Sequence, residues 1–255
     1  MTSGVQTATL VDIQGVGGYL RLALVVALLA GLAALVNHVG GLQPARVDLT
    51  AALRATVQLA VVGLLIAVVL RSWWLTTAFV VLMLSVASVT AGRRLVPAGR
   101  WWWGAAPVWF GAAPVGLGLL ATGLIPLVEV SVVPVLGILI GGAMTATALA
   151  GRRTLDALRT RHGEVEAALS IGLETRDARL LIGRDDAGLA LVPGLDQTRT
   201  VGLVTLPGAF VGMLLGGATP LQAAAVQLVV LVALLLVQAV AALLTLELIA
   251  RDVLR

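Results

Sequence analysis

Seven long runs of apolar residues alternate with short polar connections in this chain, and they limit its fold more strongly than any other feature. About 20 consecutive apolar residues cross a bilayer as one α-helix. The runs lie near 20–38, 48–70, 73–91, 101–123, 130–150, 199–217 and 221–246. Only 12% of the residues are charged, against about 25% in a soluble domain. The sequence therefore predicts one all-α domain, 1–255, that is a polytopic integral membrane protein with about seven transmembrane helices.

The basic residues, all of them arginine, predict how these helices are oriented. If the N-terminus is external, every arginine except Arg21 and Arg71 lies in a cytoplasmic connection, at its membrane edge or in the C-terminal tail. Cytoplasmic loops are rich in arginine and lysine, so we expect an N-out, C-in protein of the cell inner (plasma) membrane. Residues 1–19 lack the basic start of a signal peptide, so the first run is expected to be a retained helix.

Residue types that the chain lacks exclude several kinds of function. Without cysteine there are no disulfides and no thiolate metal sites. Without lysine there is no Walker A loop, because that loop uses a lysine to bind the phosphates of ATP. His38 and His162 are far apart in sequence and belong to no HExxH motif, so no metal site is assigned. A net charge of +4 spread between apolar spans does not indicate nucleic-acid binding.

No membrane enzyme or passive channel is indicated by the polar residues of the spans. An embedded enzyme needs converging groups, such as a serine with a base or paired aspartates, and a channel needs rings of charge or filter repeats. Neither pattern occurs in the sequence. A transporter is therefore favoured, although the chain alone supplies no energy source.

One charged stretch, 164–182, interrupts the apolar character of the chain inside the long cytoplasmic connection 151–198. Its apolar residues recur at three- and four-residue spacing, which predicts an amphipathic helix. The simpler interpretation is a solvated helix on the membrane surface. Acidic and basic residues are mixed on its polar face, which weakens attraction to lipid and favours a groove on a partner protein.

The same stretch resembles the EAA signature of ATP-binding-cassette importer permeases. Glu166, Ala167 and Ala168 are followed by Gly172 at the spacing of that signature, and Glu174 continues the segment. In those permeases this segment is the coupling helix that docks on the ATPase subunit, so the resemblance assigns these residues to ATPase coupling. The chain departs from the signature at Gly183, where a proline is expected.

Residues further on resemble the FetB-type family of bacterial iron-export permeases, to which plant aluminium-tolerance permeases are related. The stretch 196–217, DQTRTVGLVTLPGAFVGMLLGG, carries the family pattern, and 137–150, GILIGGAMTATALA, resembles its glycine-rich fifth span. Gly142 and Thr145 stand where that family has asparagine. The resemblance implies a homodimeric membrane subunit without enzymatic activity of its own. A separate ATPase would bind ATP and Mg, and the chain itself no cofactor.

The cargo implied by this resemblance is iron or another metal ion. A small organic molecule or a sugar nucleotide is the alternative cargo, and a channel outside the ATP-binding-cassette class is a further alternative. The residues do not decide between these cargoes.

Glycines at four-residue spacing mark candidate sites of close helix packing or gating. Such spacing lets helix backbones approach closely in lipid. The glycines could pack within one subunit or at a dimer interface, and Pro207 could bend its helix during gating. The candidates are Gly137, Gly141, Pro207, Gly208, Gly212 and Gly216.

Polar or soft side chains in or near the spans are candidates for the transport pathway, because ionisable groups there often mark a pathway. Arg54 could instead anchor its helix or pair with Asp48, Glu129 could be an ordinary interfacial charge, and Met144 could fill the core. The candidates are Arg54, Gln58, Glu129, Met144, Thr145 and Thr147.

Overall fold

The computed structural model describes residues 15–96 and 99–254, and nearly all of them are helical. The helices are α1 Gly15–Val39, α2 Ala45–Val69, α3 Trp73–Leu95, α4 Ala105–Ala121, α5 Glu129–Thr160, α6 His162–Ser170, α7 Thr175–Gly188, α8 Val192–Thr200, α9 Gly208–Leu215 and α10 Pro220–Ala250. Short 3₁₀ turns, Trp101–Gly104 and Leu189–Leu191, precede α4 and α8. Within the described ranges there is no strand, only an isolated bridge between Val201 and Thr205. The all-α prediction is confirmed.

Six helical segments of the described chain are long and apolar enough to cross a membrane. They are α1, α2, α3, α5, α10 and the segment Trp101–Ala121, and each corresponds to one predicted apolar run. The fifth differs most from its prediction: it was expected to end near residue 150, but α5 continues to Thr160. The region 151–198 therefore begins as an extension of a membrane helix rather than as a separate connection.

The described residues fall into two compact units, which meet in sequence between Leu70 and Arg71. The single-domain prediction is not tested by this division and stays a prediction. In the first unit α1 and α2 pack on each other and leave most side chains exposed, as lipid-facing helices do. Asp48 accepts hydrogen bonds from Asn37 at 3.0 Å and from Gln43 at 2.6 Å. This carboxylate thus joins the two helices, and the suggested pairing of Asp48 with Arg54 does not form.

In the second unit α5 and α10 lie side by side and run in the same direction. Val135 and Val230 share a buried cluster near the start of both helices, and Ala150 and Leu246 share one near their ends. The helices α3 and α4 pack against α5, and α4 also packs against α10. Alanine dominates the resulting core, because small residues let membrane helices approach closely where no hydrophobic effect drives them together.

The tightest helix approach joins α3 to the turn before α4. A Cβ atom on Gly92 would lie 2.0 Å from the carbonyl oxygen of Trp101. From the other side, a Cβ on Gly104 would lie 2.7 Å from the Cα of Gly92. Both positions therefore require glycine, because the obstructing atoms belong to the backbone and cannot move as a side chain can.

The predicted span 199–217 is not one helix, and this prediction needs correction. The helix α8 ends at Thr200 and α9 begins only at Gly208. Gly202 has φ +83° in the intervening turn, and Pro207 has no N–H to continue a helical hydrogen-bond pattern. The chain nevertheless has to travel the height of the unit here, because α5 and α10 are parallel. The segment 192–219 therefore contains a break where the sequence predicted one helix with a bend at Pro207.

Candidate docking site on the α6–α7 hairpin

The predicted amphipathic helix 164–182 is a hairpin of two helices, so its prediction as a single helix is wrong. The helix α6 ends at Ser170 and α7 begins at Thr175. Gly172 has φ +95°, its amide donates to the Leu169 carbonyl, and the amide of Leu173 donates to the Ala168 carbonyl. This is the Schellman pattern, which ends a helix at a glycine of left-handed conformation. Gly172 thus matters for its conformation, since open space surrounds it.

Part of the apolar stripe that was expected to contact a partner is buried between the two helices of the hairpin. Val165 and Ala168 of α6 are buried against Ala178 and Ile182 of α7. They hold the two helices together and cannot contact another protein. Ala168 therefore packs inside the hairpin, and its assignment to ATPase coupling stays a prediction.

The outer face and the turn remain open to a partner. Glu166, Ala167, Gly172 and Glu174 are exposed, and Ile171 at the turn is 79% exposed. An exposed isoleucine, with the exposed Glu174 three residues further along the turn, is a small apolar projection with a polar edge. Such a projection fits an apolar pocket on another protein, with the polar rim around it.

Ion pairs join the hairpin to the end of α10. The Arg176 guanidinium donates to both carboxylate oxygens of Glu247, at 2.7 and 2.9 Å. The pKa of Arg176 is raised, chiefly by these hydrogen bonds. Arg179 donates to the Ala250 carbonyl at 3.3 Å and lies 3.3 Å from Asp252. The sequence does not indicate this role of Glu247, because its partner is 71 residues away.

A third arginine joins the start of α6 to α7. Arg161 donates to both carboxylate oxygens of Glu164, at 2.8 and 2.7 Å, and to the carbonyl of Ile182 at 3.2 Å. The hydrogen bond from Arg161 holds the pKa of Glu164 below its usual value. Arg161 thus stiffens the hairpin, whereas Arg176 and Arg179 attach the hairpin to the end of α10.

A cavity of about 750 Å³ lies between the hairpin and the ends of the transmembrane helices. Its walls come from α3, α5, α6, α7 and α10, and they include Leu95, Arg159, His162, Glu166, Arg179 and Ile249. Away from this cavity, α7 packs against α5 and α10, and Ala187 shares a buried cluster with Ala150 and Leu246. The cavity therefore leaves room only for the turn end of the hairpin to shift relative to the bundle.

The predicted pathway residues are divided between the two units, and their role in a pathway stays a prediction. Arg54 and Gln58 are exposed on α2 of the first unit, and Glu129 is in the first turn of α5, at the end of the second unit away from the hairpin. On α5, Met144 packs against the core, the Thr145 hydroxyl donates to Gly141, and Thr147 is fully buried with an unpaired hydroxyl. Across the described ranges no group of three His, Asp or Glu could hold a metal ion.

The predicted glycine pairs differ in what they contact. A Cβ on Gly137 would lie 3.0 Å from Met83, so this glycine accommodates α3. Nothing in the described part of the chain comes within 4 Å of a Cβ on Gly141, Gly208 or Gly212, and Gly216 meets only its own backbone. Packing within one subunit therefore explains Gly137 but not the other four glycines.

Sequence reasoning missed a buried amide in the middle of α10. A Cβ on Gly194 would lie 2.0 Å from the Oε1 atom of Gln238, and one on Gly142 would lie 2.2 Å from Leu234. Glycine at these positions lets α8 and α5 approach α10, and a larger residue at 142 would require the Leu234 side chain to move. The Oε1 atom of Gln238 is buried and has no partner among the described residues. The sequence feature that could have indicated this site is a polar residue, Gln238, within the last apolar run.

Comparison with known proteins places these features in a family. The uncharacterised protein family UPF0014 matches residues 19–254. The chain is 33% identical over 183 residues to Protein ALUMINUM SENSITIVE 3 of Arabidopsis thaliana, covering 70% of this chain and 66% of that protein. It is 33% identical over 183 residues to the UPF0014 membrane protein STAR2 of Oryza sativa subsp. japonica, covering 70% and 64%. The match thus spans just under two thirds of the length of both plant proteins.

A bacterial relative is the probable iron export permease protein FetB of Escherichia coli. It is 31% identical over 111 residues, which cover 44% of this chain and 43% of that protein. No solved structure is significantly similar to the chain. The family match covers almost the whole sequence and confirms the resemblance that the 196–217 motif indicated. This chain belongs to the UPF0014 family of membrane proteins.

Proposed function

We propose that this chain is the membrane-spanning permease subunit of an ATP-binding-cassette transporter and that its α6–α7 hairpin docks on a separate ATPase. The observation that carries the proposal is the hairpin itself. It presents Ile171 at an exposed turn and is bonded through Arg176 to the end of α10. A surface helix without a mechanical role would not need this attachment.

The attachment suggests how a movement of the ATPase reaches the membrane helices. The helix α7 packs against both α5 and α10, and α10 carries Glu247 at its far end. A force on the turn at Gly172 would pass through the bonded arginine to α10, and the cavity under the hairpin gives it room to tilt. In this scheme the hairpin converts closure of the ATPases into a change of angle in α10.

The remaining parts of the proposal come from the relatives and from the residues that the chain lacks. ATP and Mg would be bound by the ATPase, since the chain has no lysine for a Walker A loop. The subunit would act as a homodimer in the bacterial inner membrane, with the open glycines Gly208 and Gly212 available to a second copy. The cargo would be iron or another metal ion exported from the cell, as the name of the E. coli relative suggests.

Docking is tested by the substitution Ile171→Asp. A charge in the centre of an apolar contact is expected to lower the amount of ATPase that co-purifies from detergent by about tenfold or more. The measurement is the ratio of ATPase to permease after affinity purification of the pair from membranes that express both.

The matched control is Leu181→Asp, which puts the same charge on α7 at a side chain that is 62% exposed. It lies ten residues from the turn and is expected to keep the ATPase bound. Equal recovery of the ATPase with the Ile171 variant and the unchanged chain would contradict docking through the turn. Metal efflux from loaded vesicles would then be tested separately, because cargo and docking are independent parts of the proposal.

A further inference from the structure

Two contacts of the chain just before the irregular segment 201–207 indicate the height of this segment along α10. Ala190, just before α8, shares a buried cluster with Ala242 of α10, and Gly194 lies against Gln238. Four residues forward in this segment, from 190 to 194, thus correspond to four residues back along α10, from 242 to 238, so the segment runs antiparallel to α10. Val201 comes seven residues after Gly194, about 10 Å further along at the helical rise. This places the break level with the centre of the apolar run 221–246.

Many backbone groups of this segment have no partner. The turn closes on itself through the amides of Gly202 and Val204, which donate to the carbonyls of Thr205 and Thr200 at 2.8 and 2.9 Å. No described residue donates a hydrogen bond to five other carbonyl oxygens, those of Val201, Gly202, Leu203, Val204 and Leu206. The first N–H groups of α9 also lack helical acceptors, as at every helix start.

Lipid cannot surround such a segment. Each unpaired backbone group in hydrocarbon costs several kcal/mol, so irregular backbone at membrane depth occurs only where protein covers it or where it lines water. Leu203 is 92% exposed and Val204 is 78% exposed, so the second unit itself does not cover the segment. A covering protein would need a donor for every free carbonyl and an acceptor for every free amide. Water supplies both at once.

We propose that the segment 201–207 lines the water-filled pathway through the membrane and that its backbone carbonyl oxygens are ligands for a passing hard cation. Carbonyl oxygens replace the hydration shell of cations in selectivity filters and suit oxygen-preferring divalent ions. The cation part of this proposal rests on the proposed transport of a metal ion. The proposal that the segment lines water rests only on the unpaired backbone groups.

The absence of cysteine from the chain gives a direct test. Leu203→Cys and Val204→Cys are made one at a time in the full permease with its ATPase, in native membrane vesicles. Both are treated with a charged thiol reagent that cannot enter lipid. Matched controls are Leu228→Cys and Val232→Cys of α10, whose side chains are 59% and 55% exposed at a similar height. A lipid-soluble maleimide shows that every cysteine variant is folded and reactive.

We expect the charged reagent to modify positions 203 and 204 at least about tenfold faster than the α10 positions, because a thiol in water forms thiolate more readily than one in lipid. Equally slow modification at all four positions would overturn the water-lined position. Protection at 203 and 204 together with a disulfide between two copies would also overturn it, because a second subunit would then cover the segment.

A second experiment tests whether the carbonyl oxygens of the segment bind a cation. Manganous ion alone, added before the reagent, is expected to slow modification at 203 and 204 and leave the controls unchanged. Fast modification that manganous ion does not slow would refute the carbonyl ligands while leaving the aqueous lining in place. Since neither experiment requires ATP hydrolysis or transport, failure of the docking or efflux experiments is distinguishable from failure here.

Discussion

Replacing Gly92 by alanine is expected to lower the free energy of unfolding by about 3 kcal/mol. The new Cβ atom would lie 2.0 Å from the Trp101 carbonyl oxygen, whereas non-bonded carbon and oxygen atoms need more than 3 Å or so. Relief requires that α3 and the turn before α4 move apart. That movement would loosen the alanine-rich core, in which Ala87, Ala91 and Val108 pack together. The measurement is the thermal unfolding midpoint of the purified protein in detergent, together with its yield from membranes.

The control for this prediction is Gly118→Ala in α4. A Cβ there meets nothing in the described structure within 4 Å, and alanine favours the helix over glycine by about 1 kcal/mol. The control protein is expected to be as stable as the unchanged chain or slightly more stable. If both variants unfold at the same temperature as the unchanged chain, α3 and α4 do not approach each other as closely as described.

Replacing Arg176 by glutamate is expected to reduce ATP-driven transport by about tenfold, which corresponds to about 1.4 kcal/mol of lost coupling. The substitution places a second carboxylate beside Glu247, and the two charge-assisted hydrogen bonds become a repulsion. The bond between the turn end of α7 and α10 is then lost, while the packing of Ala187 against α10 and the turn with Ile171 and Gly172 are unchanged. The ATPase should therefore still co-purify with the permease, but its ATP hydrolysis should no longer drive efflux from loaded vesicles.

Two further variants make this prediction specific. Exchanging the charges with Arg176→Glu and Glu247→Arg together should restore much of the transport, although Arg251, which also bonds Glu247, limits the recovery. Arg153→Glu changes the net charge equally at an exposed position with no ion pair in the described structure, and it should transport normally. If the exchanged pair is as inactive as the single variant, Arg176 does not act through Glu247.

Parts of the candidate docking site could be predicted from the sequence because their signal is local. Glu166, Ala167 and Gly172 stand at a recognisable spacing, and the charges around them are unusual in this chain. The hairpin could not be predicted, because 164–182 has helical periodicity throughout and only the conformation of Gly172 ends α6. Glu247 was also missed, since nothing near it in sequence indicates a partner on α7.

The apolar runs and the arginine distribution by themselves determined the all-α membrane fold, the positions of six long helices and the place of the charged segment. These properties follow from transfer of residues between water and lipid, which depends on each residue and its close neighbours. The tertiary structure alone decided that α5 and α10 are parallel and that the close approach of α3 to the turn before α4 needs glycine at Gly92. Those properties depend on contacts between residues far apart in sequence, whose distances no local pattern of hydrophobicity encodes.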